Sequence, residues 1–310
     1  MPTLLVTNSD SLAHHMPRGH PEQVGRYEAI MAALSASDFD MLIRHDAPEA
    51  TLDDILLAHP ESHFAAIRDA IPDVGSVALD ADTHVTPGSW VAALRGVGGN
   101  LAAVDQVLAG TVTNAFVATR PPGHHAEATT PMGFCLFGNI ALAAKHAMER
   151  HGLTRVAIVD FDVHHGNGTQ DLLWSEDRCL FISSHQIPLY PGSGAAHETG
   201  ASHNVLNIPL APDSGSAQMR RAYEQQVFPA LDNFRPELIL VSAGFDAHTA
   251  DPLANLNWTT EDFAWVTGQL CDLAQTHCDG RLVSTLEGGY DLPALAESVA
   301  AHVKVLMERS

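Results

Sequence analysis

The chain has 310 residues, 45% of them hydrophobic and 17% charged, a composition that excludes a disordered or fibrous protein and is ample for a large buried core. Sixteen basic against 37 acidic side chains leave a net charge of −21 at pH 7. That balance argues against a grip on the phosphate backbone of nucleic acids and favours cationic small molecules or basic peptides, although solubility alone accounts for much of it. In chain order, Leu4–Thr7 reads as a strand and the stretches 23–34 and 89–108 as helices. A strand at 115–118, a helix at 138–149 and strands at 156–160, 179–183 and 205–208 follow. The last third reads as a helix at 217–231, a strand at 238–242, a helix at 261–276, a strand at 282–286 and a helix at 292–307. Val156-Ala-Ile-Val and Leu238-Ile-Leu-Val are continuous apolar runs, as expected of parallel strands buried on both faces. The expectation is one α/β domain over residues 1–310, a doubly wound parallel sheet of about eight strands, with no linker or internal repeat.

No run of about 18 apolar residues is present, so no membrane span is expected. The start, Met1-Pro-Thr-Leu-Leu-Val-Thr, lacks the basic flank and length of a signal peptide. Cys135, Cys179, Cys271 and Cys278 show no CxxC spacing and read as free thiols. The expected location is cytoplasmic, with no nucleic-acid or membrane partner and with a homo-oligomer left open.

Four polar clusters follow the carboxyl ends of four predicted strands. They are Arg120-Pro-Pro-Gly-His-His125, Asp160-Phe-Asp-Val-His-His-Gly-Asn-Gly168, Gly244-Phe-Asp-Ala-His248 and Glu287-Gly-Gly-Tyr290. Ligand sites of open α/β sheets lie at that edge, and four such clusters are hard to explain as loop chemistry.

Asp162 and His164, two residues apart, share one side of an extended segment. Alone, an Asp-x-His pair is usually ordinary loop. With Asp246 on a neighbouring strand end it makes a three-ligand metal site with a position open for water or substrate, the form of a catalytic zinc site. His124 and His125 are held in a Pro-Pro-Gly turn beside it. A surface histidine pair is commonly without function, but this one, with Asp160 on the next strand end, suits a general base and acid. Asp160 could equally be a strand-end carboxylate satisfied by backbone amides. Tyr290 follows two glycines, either as a packed aromatic after a turn or as a phenol donating to an oxyanion. Gly166-Asn-Gly168 is a tight turn that opens a helix near Thr169.

Together with Gly133-Phe-Cys135 and Tyr190-Pro-Gly-Ser-Gly194, these motifs resemble the zinc-dependent histone deacetylase superfamily, and most of all its bacterial class II-like amidohydrolases and acetylpolyamine amidohydrolases. The similarity runs from His20-Pro-Glu22 to the last strand, with the motifs in family order. It implies an arginase-like α/β fold and one catalytic Zn2+ held by Asp162, His164 and Asp246. It also implies His125 as the base, His124 as its partner oriented by Asp160, and Tyr290 as the oxyanion donor. Phe134 and Tyr190 match the aromatic walls of an acyl-lysine tunnel and Asp82 its rim carboxylate, while Gly133, Gly289 and Leu253 complete the substrate site. Arg26 matches a residue of the acetate exit. Asp160, Asp162, His164, Ser183 and Ser184 match the site of a structural K+ or Na+.

Two departures from the family pattern bear on chemistry. Asn167 stands where many members carry an aspartate behind the second histidine, so His125 should stay neutral more readily. Leu253 replaces the glutamate with which one polyamine-preferring branch reads a distal ammonium. The expected reaction is hydrolysis of an acetylated primary amine, acetyl-lysine or an acetylated alkylamine, to acetate and free amine. An acetylpolyamine substrate is the first alternative. A binuclear manganese ureohydrolase would need a carboxylate where His248 stands, and a non-catalytic acyl-lysine binder would be expected to lack Tyr290 or a histidine of the pair.

Overall fold

Each central strand divides its side chains between two apolar layers. In the computed structural model, described over residues 2–310, Phe116 and Ala118 enter a core on one face of the sheet, and Ala115 and Val117 enter a second core on the other. Ala157 and Val159 alternate with Val156 and Ile158 in the same way. This alternation follows from the period of two along a strand, and it explains why these strands read as unbroken apolar runs.

The elements are β1 (Thr3–Thr7), α1 (Val24–Ala33), β2 (Ile43–Asp46), α2 (Leu52–Ile55), α3 (Glu61–Ala70) and a small hairpin of β3 (Val77–Ala78) and β4 (His84–Val85). Then come α4 (Ser89–Leu108), β5 (Asn114–Ala118), α5 (Asn139–His151), β6 (Val156–Asp160), α6 (Asn167–Leu173), β7 (Cys179–Gln186) and β8 (Val205–Leu210). The chain ends with α7 (Ser216–Ala222), α8 (Phe228–Phe234), β9 (Leu238–Ala243), α9 (Thr260–Cys278), β10 (Leu282–Leu286) and α10 (Leu292–Glu308). Helices α1, α9 and α10 contribute to one core, and α4 and α5 to the other. Among the described residues no helix is long and apolar enough to cross a membrane.

The main sheet is an eight-stranded parallel sheet in the order β2-β1-β5-β10-β9-β6-β7-β8. After β5 the chain leaves two places empty before laying down β6, and β9 and β10 later fill them. The four strands that end in polar clusters are therefore the four central neighbours, β5, β10, β9 and β6. Their carboxyl ends meet.

Three local features depart from the sequence pattern. Strand β2 is an edge strand whose four residues, Ile43-Arg-His-Asp46, are all exposed, so no apolar run marks it. Strand β7 continues to Gln186. The stretch expected as one helix at 217–231 is split by a π turn over Tyr223–Val227 between α7 and α8. Pro229 lies at the start of α8 and has no N–H to continue the ladder.

A buried ion group ties the loops at this edge to the N-terminal segment. Glu22, Arg26, Arg120 and His14 are all 0% exposed. Arg120, just past β5, pairs with Glu22 through Nε and through Nη2 (2.7 Å), and its Nη1 donates to the Ser11 carbonyl (2.6 Å). Arg26 donates to Glu22 (3.1 Å) and to the Gly289 carbonyl (2.6 Å), bridging α1 to the loop after β10. Burial by itself raises the Glu22 pKa, but Arg120, His14 and Arg26 outweigh it and bring it down to about 2. A depressed carboxylate pKa adds stability above the unfolded-state value, and that stability is lost as pH falls through the folded-state value. Glu22→Gln should cost about 3–5 kcal/mol at pH 7, because two guanidinium groups are left underpaired. Its gap to wild type in urea unfolding should narrow between about pH 5 and pH 2. A gap independent of pH would show that Glu22 is not the titrating group.

Candidate active site

The loop after β6 carries Asp162 and His164, and the loop after the adjacent β9 carries Asp246; all three are buried. One donor atom from each lies within 4.8 Å of the others. His164 Nδ1 is 3.1 Å from both Asp162 Oδ1 and Asp246 Oδ2. Donors about 2.1 Å from a tetrahedral ion stand about 3.4 Å apart, so small shifts admit one.

Backbone amides aim the carboxylates. Gly288 N donates to Asp162 Oδ2 (2.8 Å), His164 N to Asp162 Oδ1 (2.9 Å) and Val163 N to Asp246 Oδ1 (2.9 Å). A Cβ at Gly244 would overlap Asp162 Oδ2, and one at Gly288 would overlap Asp246 Oδ2, so both positions require glycine. Burial pushes the Asp246 and Glu287 carboxyls up, with the charge of Asp162 adding to each. Asp162 is driven the other way, since His124 and His164 overcome its burial. Buried carboxylates in excess of local cations are the chemistry of a cation site.

Among the described residues one other three-donor group occurs, Asp105, His146 and His151 on α4 and α5. Both imidazoles there already hydrogen-bond the Asp105 carboxylate at 2.7 Å, and half of the Asp105 side chain is exposed.

The tandem histidines sit side by side with ring centroids 4.0 Å apart, yet they differ in partner. His124 Nδ1 meets Asp160 Oδ2 at 3.0 Å, whereas His125 Nδ1 meets Asn167 Oδ1 at 2.7 Å. The Asn167 amide is oriented by Glu127, whose Oε1 accepts from Asn167 Nδ2 (2.8 Å). The Asn167 oxygen therefore faces His125, so Nδ1 carries the proton and Nε2 is left as the basic atom. Burial opposes charge on His124, but Asp162, Asp160 and Glu287 override it and hold the imidazole well above its usual pKa. For His125, burial together with the nearby His124 and His164 depresses the pKa well below the usual value.

His125, His164 and Tyr290 share a cavity of about 370 Å³ whose walls include Gly133, Phe134 and Tyr190 and whose lining also includes Asp82 and Leu253. Tyr190 packs edge-on to His125 (centroids 5.2 Å apart) and Phe134 edge-on to Tyr290 (5.9 Å). Gly133 and Phe134 both have left-handed backbone, φ 54° and 70°. A side chain at Gly133 would run into the His125 ring. Phe134 holds its unusual conformation with its N–H donating to Thr83 Oγ1 (3.0 Å), beside Asp82. Burial and then Asp80 push the Asp82 carboxyl above its ordinary pKa. Gly289 (φ 120°) lies behind Tyr290 and does not line the cavity.

Ser183 pairs with Asp160 in the β6–β7 register, and its hydroxyl meets His185 Nδ1 (2.9 Å). The Ser184 hydroxyl meets Tyr223 (2.8 Å), as expected for the next residue along a strand, which faces the other way. Arg26 lies behind the site, its guanidinium 5.0 Å from the Tyr290 ring centroid. The helix after Gly166 begins at Asn167.

Residues not singled out from sequence also shape the site. Glu287 accepts hydrogen bonds from Gly123 N (2.7 Å), His124 N (3.1 Å) and Ser242 Oγ (3.0 Å), so it carries the histidine turn on β10. Its place at the head of Glu-Gly-Gly-Tyr was the available signal. His20, Pro21, Ala81 and Leu189 also line the cavity. They come from loops distant in sequence, which no local pattern joins.

The sequence profile of the histone deacetylase domain matches residues 20–306. The chain is similar to histone deacetylase 10, chloroplastic, of Oryza sativa subsp. japonica, 39% identical over 96% of this chain and 71% of that protein. It is also similar to the histone deacetylase-like amidohydrolase of Pseudomonas aeruginosa, 40% identical over 88% of this chain and 73% of that one. The crystal structure of the HDA15 HD domain superposes with a TM-score of 0.94 at 33% identity, covering 99% of this chain and 88% of that one. On its motifs, its eight-stranded parallel sheet and these matches, the chain belongs to the histone deacetylase family.

Proposed function

We propose that the protein is a zinc-dependent deacetylase that cleaves the amide of a slender acylated primary amine, acetyl-lysine or an acetylated alkylamine, to acetate and free amine. The observation that carries this reading is the convergence of the His125 imidazole, the Tyr290 phenol and His164, one of a three-donor group with the buried Asp162 and Asp246, on one cavity walled by two aromatic rings.

A divalent metal held by Asp162, His164 and Asp246 supplies Lewis-acid polarisation of the amide carbonyl and a lowered pKa for the attacking water. His125, neutral and with Nε2 free, takes the proton of that water as its oxygen bonds to the carbonyl carbon. The Tyr290 hydroxyl donates to the oxyanion that develops. His124 stays charged beside Asp160, and its field stabilises the developing negative charge. When the C–N bond breaks, His125 returns its proton to the departing nitrogen. Phe134 and Tyr190 flank the methylene chain and gain from apolar burial along it.

Asp160, Asp162, His164, Ser183 and Ser184 make the proposed K+ or Na+ site; the Asp162 and His164 carbonyls accept no hydrogen bond from the described residues. Four free, buried cysteines suit a reducing compartment and a cytoplasmic location. The substrate is a small molecule or peptide, with no nucleic-acid or membrane partner. Leu253 at the cavity favours an alkylamine or lysine chain over a polyamine, since an apolar side chain at that position cannot meet a distal ammonium.

Asp246→Ala should lose bound metal, measured as metal per chain after dialysis, and with it activity; near-normal metal content would refute the ligand set. Tyr290→Phe should lower kcat by about 10²–10³ and leave KM nearly unchanged, whereas a loss confined to KM would make Tyr290 a binding wall. With a net charge of −21 and Asp82 at the cavity, kcat/KM for a cationic substrate should fall as salt rises, and a neutral acetyl-lysine analogue should respond little. Equal responses would remove electrostatic attraction from the account.

A further inference from the structure

The Tyr290 hydroxyl makes no hydrogen bond with the described residues, so its place is set through its ring and its backbone. The backbone before it is permissive: Gly288 and Gly289 precede it, and Gly289 has φ 120°. Arg26 donates to the Gly289 carbonyl and Asp162 accepts from Gly288 N, both before the tyrosine, and a third side chain holds the segment at Tyr290 itself. Asp251, only 7% exposed and in the loop after β9, accepts through Oδ2 from Tyr290 N (2.7 Å) and Asp291 N (3.4 Å). Through Oδ1 it accepts from Leu253 N (3.0 Å). Asp291 then caps α10, its own carboxylate accepting from Ala294 N (3.0 Å). One carboxylate thus links the segment carrying the phenol to the segment carrying Leu253 at the cavity.

We propose that Asp251 is a positioning residue that fixes the Tyr290 phenol over the reacting carbonyl and sets Leu253 at the cavity from the same carboxylate. The proposal rests on the reading of Tyr290 as oxyanion donor. Two acceptor oxygens are needed because N–H groups approach from two sides. An asparagine offers one oxygen, so its NH2 would face either Leu253 N–H or the Tyr290 and Asp291 N–H groups, donor against donor. A shift of the phenol by a fraction of an ångström weakens a bond that matters in the transition state and little in the ground state.

The test is a double-mutant cycle with hydrogen exchange. Asp251→Asn should lower kcat by about tenfold, with KM within about twofold and metal content unchanged. In a Tyr290→Phe background the same substitution should cost less than about twofold, because the group it positions is gone. Amides of Tyr290 and Asp291 should exchange faster in Asp251→Asn, while Gly288 N–H, held by Asp162, should not change. A full tenfold loss in the Tyr290→Phe background, or unchanged exchange at 290 and 291, overturns the proposal. If Tyr290→Phe alone leaves kcat intact, the oxyanion reading falls instead, and the exchange measurement alone decides the anchoring. Should Asp251→Asn not fold, Asp251→Ser is read by the same measurements.

Discussion

Five carboxylates, Asp160, Asp162, Asp246, Asp251 and Glu287, are buried where the four central strands end. Ionised carboxylates this close and this far from water repel one another, and burial alone would protonate them. Most of the site's architecture answers that constraint. Amides of Gly123, His124, Val163, His164, Gly288 and Tyr290 point into the group, and His124 is held charged among them. Glycines at 244 and 288 let the backbone come close enough to donate or to leave room for an oxygen. Asp162, His164 and Asp246 meet there as a group of three donors within 4.8 Å of one another, the proposed metal site.

The same constraint explains why two adjacent histidines behave oppositely. Both are buried, and their rings nearly touch. His124 faces a carboxylate and is held well above the usual imidazole pKa, while His125 faces the oxygen of an amide and is lowered by burial and by the two histidines beside it. Asp162, Asp160 and Glu287 together raise His124, whereas His125 has only a neutral amide behind it, and burial and its histidine neighbours lower it. The site thus sets two adjacent imidazoles to opposite proton affinities, with Asp162 and Glu287 acting on His124 and Glu127 orienting the amide behind His125.

Rigidity comes from outside the site. The buried Glu22 group pins the turn after β5 and the loop after β10 to the N-terminal segment, and Arg26 and Arg120 together donate to five main-chain carbonyl groups, those of Ser11, His14, Glu22, Glu287 and Gly289. Ion groups of this kind contribute little net stability over an apolar substitute, but they specify geometry.

Much of this was legible in the sequence. Continuous apolar runs and alternating helices dictate a parallel sheet buried on both faces, and polar clusters after strands 115–118, 156–160, 238–242 and 282–286 mark its ligand edge, because local periodicity encodes burial. The candidate donors Asp162, His164 and Asp246, the histidine pair and Tyr290 stood out for the same reason: each is an unusual residue at a fixed distance from an apolar run. The exposed edge strand at Ile43–Asp46 was invisible, since no side chain there is buried. Strand order, which makes the four polar ends neighbours, depends on β9 and β10 returning to a gap left more than a hundred residues earlier in the chain. The roles of Glu287 and Asp251 and the tautomer of His125 were decided only by the tertiary structure, because each depends on hydrogen bonds between loops that no local spacing relates.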